Sequence, residues 1–176
     1  MEIRINQWNK FDKTRHLKTR IPLYEFSKLS SWDLGWSLLE QINIAENDQH
    51  EIELSECFSP GQKALYFFWY LDAQVTNGGF VQFYCNGYDK YLPAIIRGLS
   101  LVNDILLIKL ITEVDKYYFE NQTEFIGGQS KNNFEGIYSK LSKFDDFDNE
   151  YFEIRENSMK IIEKHARVIP AEFIVI

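Results

Sequence analysis

The residues of this chain that offer chemistry are its carboxylates, and most of them gather in two runs. Glu46, Asp48, Glu51, Glu53 and Glu56 arrive within eleven residues, with no Lys or Arg among them. Asp145, Asp146, Asp148, Glu150, Glu153 and Glu156 form the second run, opposed only by Arg155. Carboxylates at such density can hold a hard cation, face a basic partner or keep a chain in solution. The cation reading fails on spacing. Asp145, Asp148 and Glu150 resemble a calcium loop only in part, and the glycine and twelfth-position glutamate of that layout are missing. In the second run Phe144, Phe147, Tyr151 and Ile154 interleave with the acids at i, i+3, i+7 and i+10. On a helix the rings would anchor the segment and the acids would face outward. The first run reads as a charged loop or a solvated edge.

Other chemistry finds little support. His16, His50 and His165 have no His or Cys at a metal-ligand spacing. His165 fits the inner face of a helix. The serines lack a G-x-S-x-G setting. Asp72 interrupts an apolar stretch but has no His or second carboxylate beside it in sequence. Cys57 and Cys85 are isolated thiols, as in a reduced compartment, and Cys85 next to Tyr84 suits packing. No cofactor or metal is expected.

The most distinctive stretch is Val75 to Pro93. Asn77, Gly78 and Gly79 can stop a helix, and Asn86 and Gly87 form a second stop. Between them Phe80, Phe83 and Tyr84 fall at i, i+3 and i+4, so one helical turn puts three rings on one side. Gln82 and Asn86 can bond each other or a nearby backbone group. A phosphate cradle would need a lysine or one of the known glycine spacings, and neither is present. The stretch reads as a corner, with glycines turning the chain and rings filling the space below.

The elements that must position these residues are helical. Ser30 and Ser31 can cap a helix from about Trp32 to Ala45, with Leu38, Leu39 and Ile42 inward and Asp33 in its first turn. Ser59, Pro60 and Gln62 announce a helix through a cap, a first-position proline and a capping box. From Ala64 to Leu71 that helix is apolar nearly all round, which assigns it to the centre. Leu92, Ile95, Ile96, Leu99 and Val102 mark the next helix. Leu107, Leu110, Ile111 and Val114 mark another, with Asn103 and Asp104 between. Residues 124–133, with Gly127 and Gly128, read as a loop. A helix over about 133–143 would pack Phe134, Ile137, Tyr138 and Leu141, and a last helix over about 149–167 would end before Pro170. Phe173 to Ile176 is an apolar tail that docks on the domain or adds an edge strand.

The fold class is therefore all-α. The chain is expected to form a single compact bundle of about six helices over residues 29–176, with a basic arm at 1–28 and a short apolar C-terminal tail. A length of 176 residues with 45% hydrophobic content supports one substantial core. No apolar run approaches the roughly 20 residues that span a bilayer, and no signal-peptide layout is seen, so a cytoplasmic protein is expected. Net charge is −7. Residues 1–28 balance to +4, with a weak strand signal at Ile3 and Ile5, and the remainder balances to −11. Such a body repels nucleic acid and suits a basic protein partner. The arm's simplest role is to pair with that acidic body.

Several of these residues also carry a resemblance. Ser59-Pro60-Gly61-Gln62, Trp69-Tyr70, Asn77-Gly78-Gly79-Phe80, Gln82-Phe83-Tyr84, Asn86-Gly87 and Asp89-Lys90-Tyr91, with Phe144 to Phe152 downstream, resemble a bacterial family of uncharacterised helical domains. Its described member is a DNA-mimic protein. The likeness covers about two thirds of the chain. It implies an all-helical domain whose surface carboxylates can stand in for phosphates and occupy the DNA-binding face of a transcription factor. No family motif assigns those carboxylates by position.

Three functions follow as expectations. The first is a non-enzymatic acidic domain that binds a basic protein, in its sharpest form a DNA mimic toward a transcription factor. Duplex DNA carries about one charge per 1.7 Å, whereas a helix stripe offers one every roughly 5–6 Å, so several patches would have to share a surface. The second is an immunity-type protein that neutralises a basic toxin. The third is an enzyme with a pocket at the aromatic corner, lined by Asp72, Gln82, Asn86 and Asp89. Direct nucleic-acid binding by the acidic body and membrane association are not expected.

Overall fold

The computed structural model describes residues 7–129 and 134–176. Among the described residues nine α-helices run in chain order: α1 (Leu23–Lys28), α2 (Ser31–Leu39), α3 (Asp48–Ser55), α4 (Pro60–Cys85), α5 (Leu92–Val102), α6 (Ile105–Glu120), α7 (Gln122–Gln129), α8 (Phe134–Lys140) and α9 (Lys143–Val168). Short 3₁₀ turns cover Gln7–Asn9, Lys13–Arg15, Tyr88–Tyr91 and Pro170–Glu172. The domain is all-α, as the periodicity implied.

The centre is α4. Its start follows the local chemistry: the Ser59 side chain accepts from the Gln62 N–H, and Gln62 Oε1 accepts from the Ser59 N–H at 2.9 Å. From Gly61 to Phe68 every residue is buried. Helix α5 lies close along it because Gly98 has no side chain. A Cβ there would stand 2.6 Å from the Ala64 Cα. On another side the 26-residue α9 packs on α4, α6 and α2.

At Gly78–Gly79 the helical dihedrals fail, and Gly79 takes φ +69°. The expected stop is thus a kink, after which Phe80 to Cys85 resumes as helix. Gly87, at φ +71°, makes the second stop.

Four expectations need correction. Helix α2 ends at Leu39, and no side chain of Ser30 caps it; Glu163 of α9 instead accepts from the Ser31 N–H at 2.8 Å. Residues 48–55, read as a loop or edge, are helical because Asn47 caps them through the His50 N–H. Residues 122–129, read as a loop, form α7, where buried Phe125 contacts the Tyr84, Tyr118 and Phe144 rings. The acidic segment and the last helix are one element, α9. The expected roles of Ile3, Ile5, Asn133 and the Phe134 side chain lie outside the described residues and side chains.

The two ends of the chain meet. Thr19 N–H donates to the Phe173 carbonyl at 2.9 Å and Val175 N–H to the Thr19 carbonyl at 3.1 Å, giving a parallel bridge between Thr19 and Ile174. Trp8, Thr19 and Ile21 are buried against the body. Lys63, reaching out of α4, donates from Nζ to the Trp8 carbonyl at 2.7 Å and to that of Lys10. Burial lowers its pKa to about 8. Lys10 and Arg15 pair with Glu56, at 3.2 and 3.1 Å.

Candidate protein-binding surface

Helix α9 separates rings from acids as its spacing requires. Phe144, Phe147 and Tyr151 are buried, and Ile154 is half-buried. Asp145, Asp146, Glu150, Glu153 and Glu156 are exposed. Asp146, Glu150 and Glu153 stand at i, i+4 and i+7, so they share a strip about 10 Å long. Among the described residues no cation or donor sits on Asp145, Asp146, Glu150 or Glu153. Glu156 differs. It accepts from the Trp32 indole N–H at 2.9 Å and from Arg155 at 3.0 Å.

Asp148 leaves the strip altogether. It turns inward to the α4 kink, where its carboxylate accepts from the Phe80 N–H at 2.7 Å and from the Tyr138 hydroxyl at 2.6 Å. The kink frees the Phe80 N–H from the helical ladder, and Asp148 replaces the lost acceptor. Burial is the largest influence on Asp148 and raises its pKa, against the two hydrogen bonds that lower it. A Cβ on Gly79 would collide with both the Tyr138 hydroxyl and the Asp148 carboxylate.

The rest of the motif closes this corner. Asn77 donates to Gln82 at 2.9 Å, and Gln82 and Asn86 both donate to Gln74, at 3.2 and 2.7 Å. The Gln82 and Asn86 side chains therefore meet through Gln74, while the Asn86 N–H donates to the Gln82 carbonyl at 2.9 Å. Below them Phe80 packs edge-on to Phe83 and Tyr151, and Tyr84 stacks on Tyr118 with centroids 3.9 Å apart. Gly78 lends its carbonyl to the Tyr138 hydroxyl at 3.3 Å.

Asp72 is buried and bonded. Arg155 grips both of its oxygens, at 2.7 and 2.9 Å, and the Tyr151 hydroxyl donates at 2.8 Å. This is a bidentate clamp between α4 and α9, not a free acid.

The first acidic run behaves differently. Glu51 is 5% exposed. It accepts from the Tyr66 and Tyr70 hydroxyls, at 3.2 and 2.6 Å, and from that of Tyr91. Burial drives the pKa of all three phenols upward, and the carboxylate adds to it. Asp48 pairs with Lys90 at 2.9 Å, and Glu56 with the two N-terminal cations. The Glu53 carboxylate accepts from Gln49 at 2.8 Å, and Glu46 is exposed.

The two runs do not share a face. Helix α3 leans on the side of α4 that carries Tyr66 and Tyr70, whereas α9 binds the side that carries Asp72. At about 100° per residue, Asp72 lies roughly 120° from Tyr66 and roughly 160° from Tyr70 around the helix. Glu51 and Asp148 thus depart from the outward-facing set expected of them. Each is drawn in by phenol or backbone donors that the folded chain would otherwise leave buried without an acceptor.

Among the described residues no three His, Cys, Asp or Glu side chains assemble as a metal site. No helix among them is long and apolar enough to cross a membrane. His165 is half-buried beside Phe173, with ring centroids 6.3 Å apart.

The chain is an all-α domain with an open strip of carboxylates on one long helix, and its sequence places it in a family. Residues 56–169 match the family described as DMP19-like protein, and the chain belongs to that family. One relative is the DNA mimic protein DMP19 of Neisseria meningitidis serogroup B. It is 28% identical over 119 residues, which is 64% of this chain and 70% of that protein. The matched residues contain α4 to α9 and nearly all of the Val75–Pro93 corner's packing partners; α1, α2 and α3 lie outside them.

Proposed function

We propose that this domain acts by contact and not by catalysis, as a DNA mimic toward a basic DNA-binding protein such as a transcription factor. The observation that carries the reading is the open strip of α9. Asp145, Asp146, Glu150 and Glu153 are exposed, with no cation on them among the described residues, on a helix inside the family match. Free carboxylates several ångströms apart attract a surface evolved for phosphates. Membership of a family that includes a DNA mimic protein supports the same direction. Glu46 and Glu53 serve solubility in this reading, because they lie across α4 from the strip.

The test is capture from native extract at low and high salt, with wild-type protein and a variant carrying Lys at 145, 146, 150 and 153. A captured DNA-binding protein that salt releases, that the variant fails to hold and that wild type displaces from duplex DNA is the expected result. Equal capture by the variant, or capture that salt does not affect, overturns the reading.

A further inference from the structure

Helix α2 carries a second, differently built surface. Trp36 is 58% exposed, an unusual position for a tryptophan on a helix packed against the core. One turn before it stands Asp33 and one turn after it Glu40, at i−3 and i+4. Both are exposed, and among the described residues neither carboxylate holds a cation or a donor. The three side chains therefore lie on one face of α2 as acid, indole, acid.

The indole is held from behind. Trp69 contacts both Trp36, at 6.3 Å between centroids, and Trp32, at 5.5 Å. Trp32 shows what such a ring accepts in this protein. The Arg155 guanidinium lies 4.5 Å from its ring centroid, while Glu156 takes its indole N–H. The Trp32 faces are already used, by Arg155 and by Phe68 stacked at 6.0 Å. Trp36 has the same kind of ring and is flanked by two open carboxylates.

We infer that Asp33, Trp36 and Glu40 form an arginine-binding subsite for the basic partner. A guanidinium lies flat on the Trp36 ring and donates to one or both carboxylates. Arginine fits and lysine does not fit equally, because only the planar guanidinium stacks and donates sideways at once. The subsite joins the α9 strip through Trp32 and Glu156, so one basic partner can span both. Large, partly supported aromatic side chains are where interface energy concentrates, which makes Trp36 the expected anchor. The inference rests on the proposed contact role, but it concerns head-group choice, not charge alone.

The probes are octa-arginine and octa-lysine, equal in charge and different in head group. Each is titrated at low salt while the indole N–H signals are followed by NMR, with the Trp36 signal assigned by its loss in Trp36→Phe. Octa-arginine is expected to bind more tightly and to shift the Trp36 signal. Trp36→Ala should reduce the arginine preference by about fivefold while leaving salt-dependent attraction to both peptides. Asp33→Asn with Glu40→Gln, which leaves the ring in place, should reduce it as well. Circular dichroism checks that each variant keeps its helix content. Equal affinity for the two peptides, or an arginine preference that survives Trp36→Ala, overturns the subsite. The lysine-substituted α9 variant reports separately: if it loses attraction to neither peptide, the strip's role fails, and the head-group preference still decides the subsite.

Discussion

Residues 46–56 and 145–156 have nearly the same acid content, yet the fold uses them in opposite ways. In the first run Glu51 is sunk beneath three tyrosines, and Asp48 and Glu56 are neutralised by Lys90, Lys10 and Arg15. In the second run one carboxylate, Asp148, is sunk at the kink, and most of the others stand open. The difference lies in the neighbours. Helix α3 is short and has few apolar residues, so its hold on α4 runs through a polar anchor. Helix α9 holds its place with Phe144, Phe147 and Tyr151 and keeps its carboxylates for the outside. Acid density alone therefore says little about function; what matters is whether rings or carboxylates fasten the segment.

The strongest way to break this comparison is to remove the anchor. Glu51→Ala leaves the Tyr66, Tyr70 and Tyr91 hydroxyls without their shared acceptor, and the cost should be about 3 kcal/mol of stability. Glu51→Gln keeps an acceptor and should cost about 1 kcal/mol. Urea unfolding followed by circular dichroism measures both. A loss from Glu51→Ala no larger than that from an exposed acid such as Glu150→Ala would erase the distinction between the runs.

The kink is the next place to press. Gly79→Ala forces a side chain into a positive-φ position already occupied by the Asp148 carboxylate and the Tyr138 hydroxyl, and should cost roughly 2–3 kcal/mol. Asp148 itself should reveal its burial through pH. Its folded pKa is raised above the ordinary 3.8, so in the range just above that value the folded state holds a proton that the unfolded chain has released. Stability contributed by this group therefore rises as pH falls through that range and is lost as pH rises past it. Asp148→Asn has no such titration. The stability of wild type relative to this variant should increase from pH 7 toward pH 4, measured by urea unfolding across the series. A difference that is flat with pH would mean that burial does not outweigh the two hydrogen bonds at Asp148.

What could be read in advance was whatever is local. The Ser59 cap, its proline and Gln62 lie within four residues, and the helix they announce is the one found. The glycines at 78 and 79 break the helical dihedrals where expected, and the spacing of Phe80, Phe83 and Tyr84 marked the helical turn beyond them, but the acceptor for the freed Phe80 N–H is Asp148, nearly seventy residues away. Glu163, capping Ser31, is more remote still. Gly127 and Gly128 looked like a loop because propensity counts breakers, whereas Phe125, wedged among three rings, decides the local structure. A signal for Glu51 did exist. Tyr66 and Tyr70 stand one turn apart on a helix that is otherwise apolar, and two buried phenols require an acceptor. The open strip on α9 was legible because its ring spacing was regular. Trp36 follows Trp32 by four residues, yet Trp32 is packed between Phe68 and Arg155 and Trp36 is left exposed, a difference that lies in remote neighbours and not in local spacing.

The smallest expected effect is also the one that separates the runs by sign. On α9, Glu150 is four residues from Asp146 and three from Glu153, so like charges face each other with no cation between them. Each such pair destabilises a helix by about 0.2–0.5 kcal/mol. Glu150→Gln with Glu153→Gln should therefore leave stability unchanged or raise it by a few tenths of a kcal/mol. Near α3 the same chemistry removes attraction instead. Asp48→Asn with Glu56→Gln cuts the pairs to Lys90, Lys10 and Arg15, and should lower stability by about 1 kcal/mol at low salt. Raising the salt should bring the two double variants together, because these charges are largely exposed and screening weakens attraction and repulsion alike. Thermal unfolding of both variants at about 20 mM and 500 mM salt measures the signs. Opposite shifts at low salt that converge at high salt mean that the fold satisfies the charges of one run and leaves those of the other unsatisfied. Equal losses would mean that the α9 carboxylates already have partners within the chain, and a strip whose charges are satisfied internally has none left to offer a basic protein.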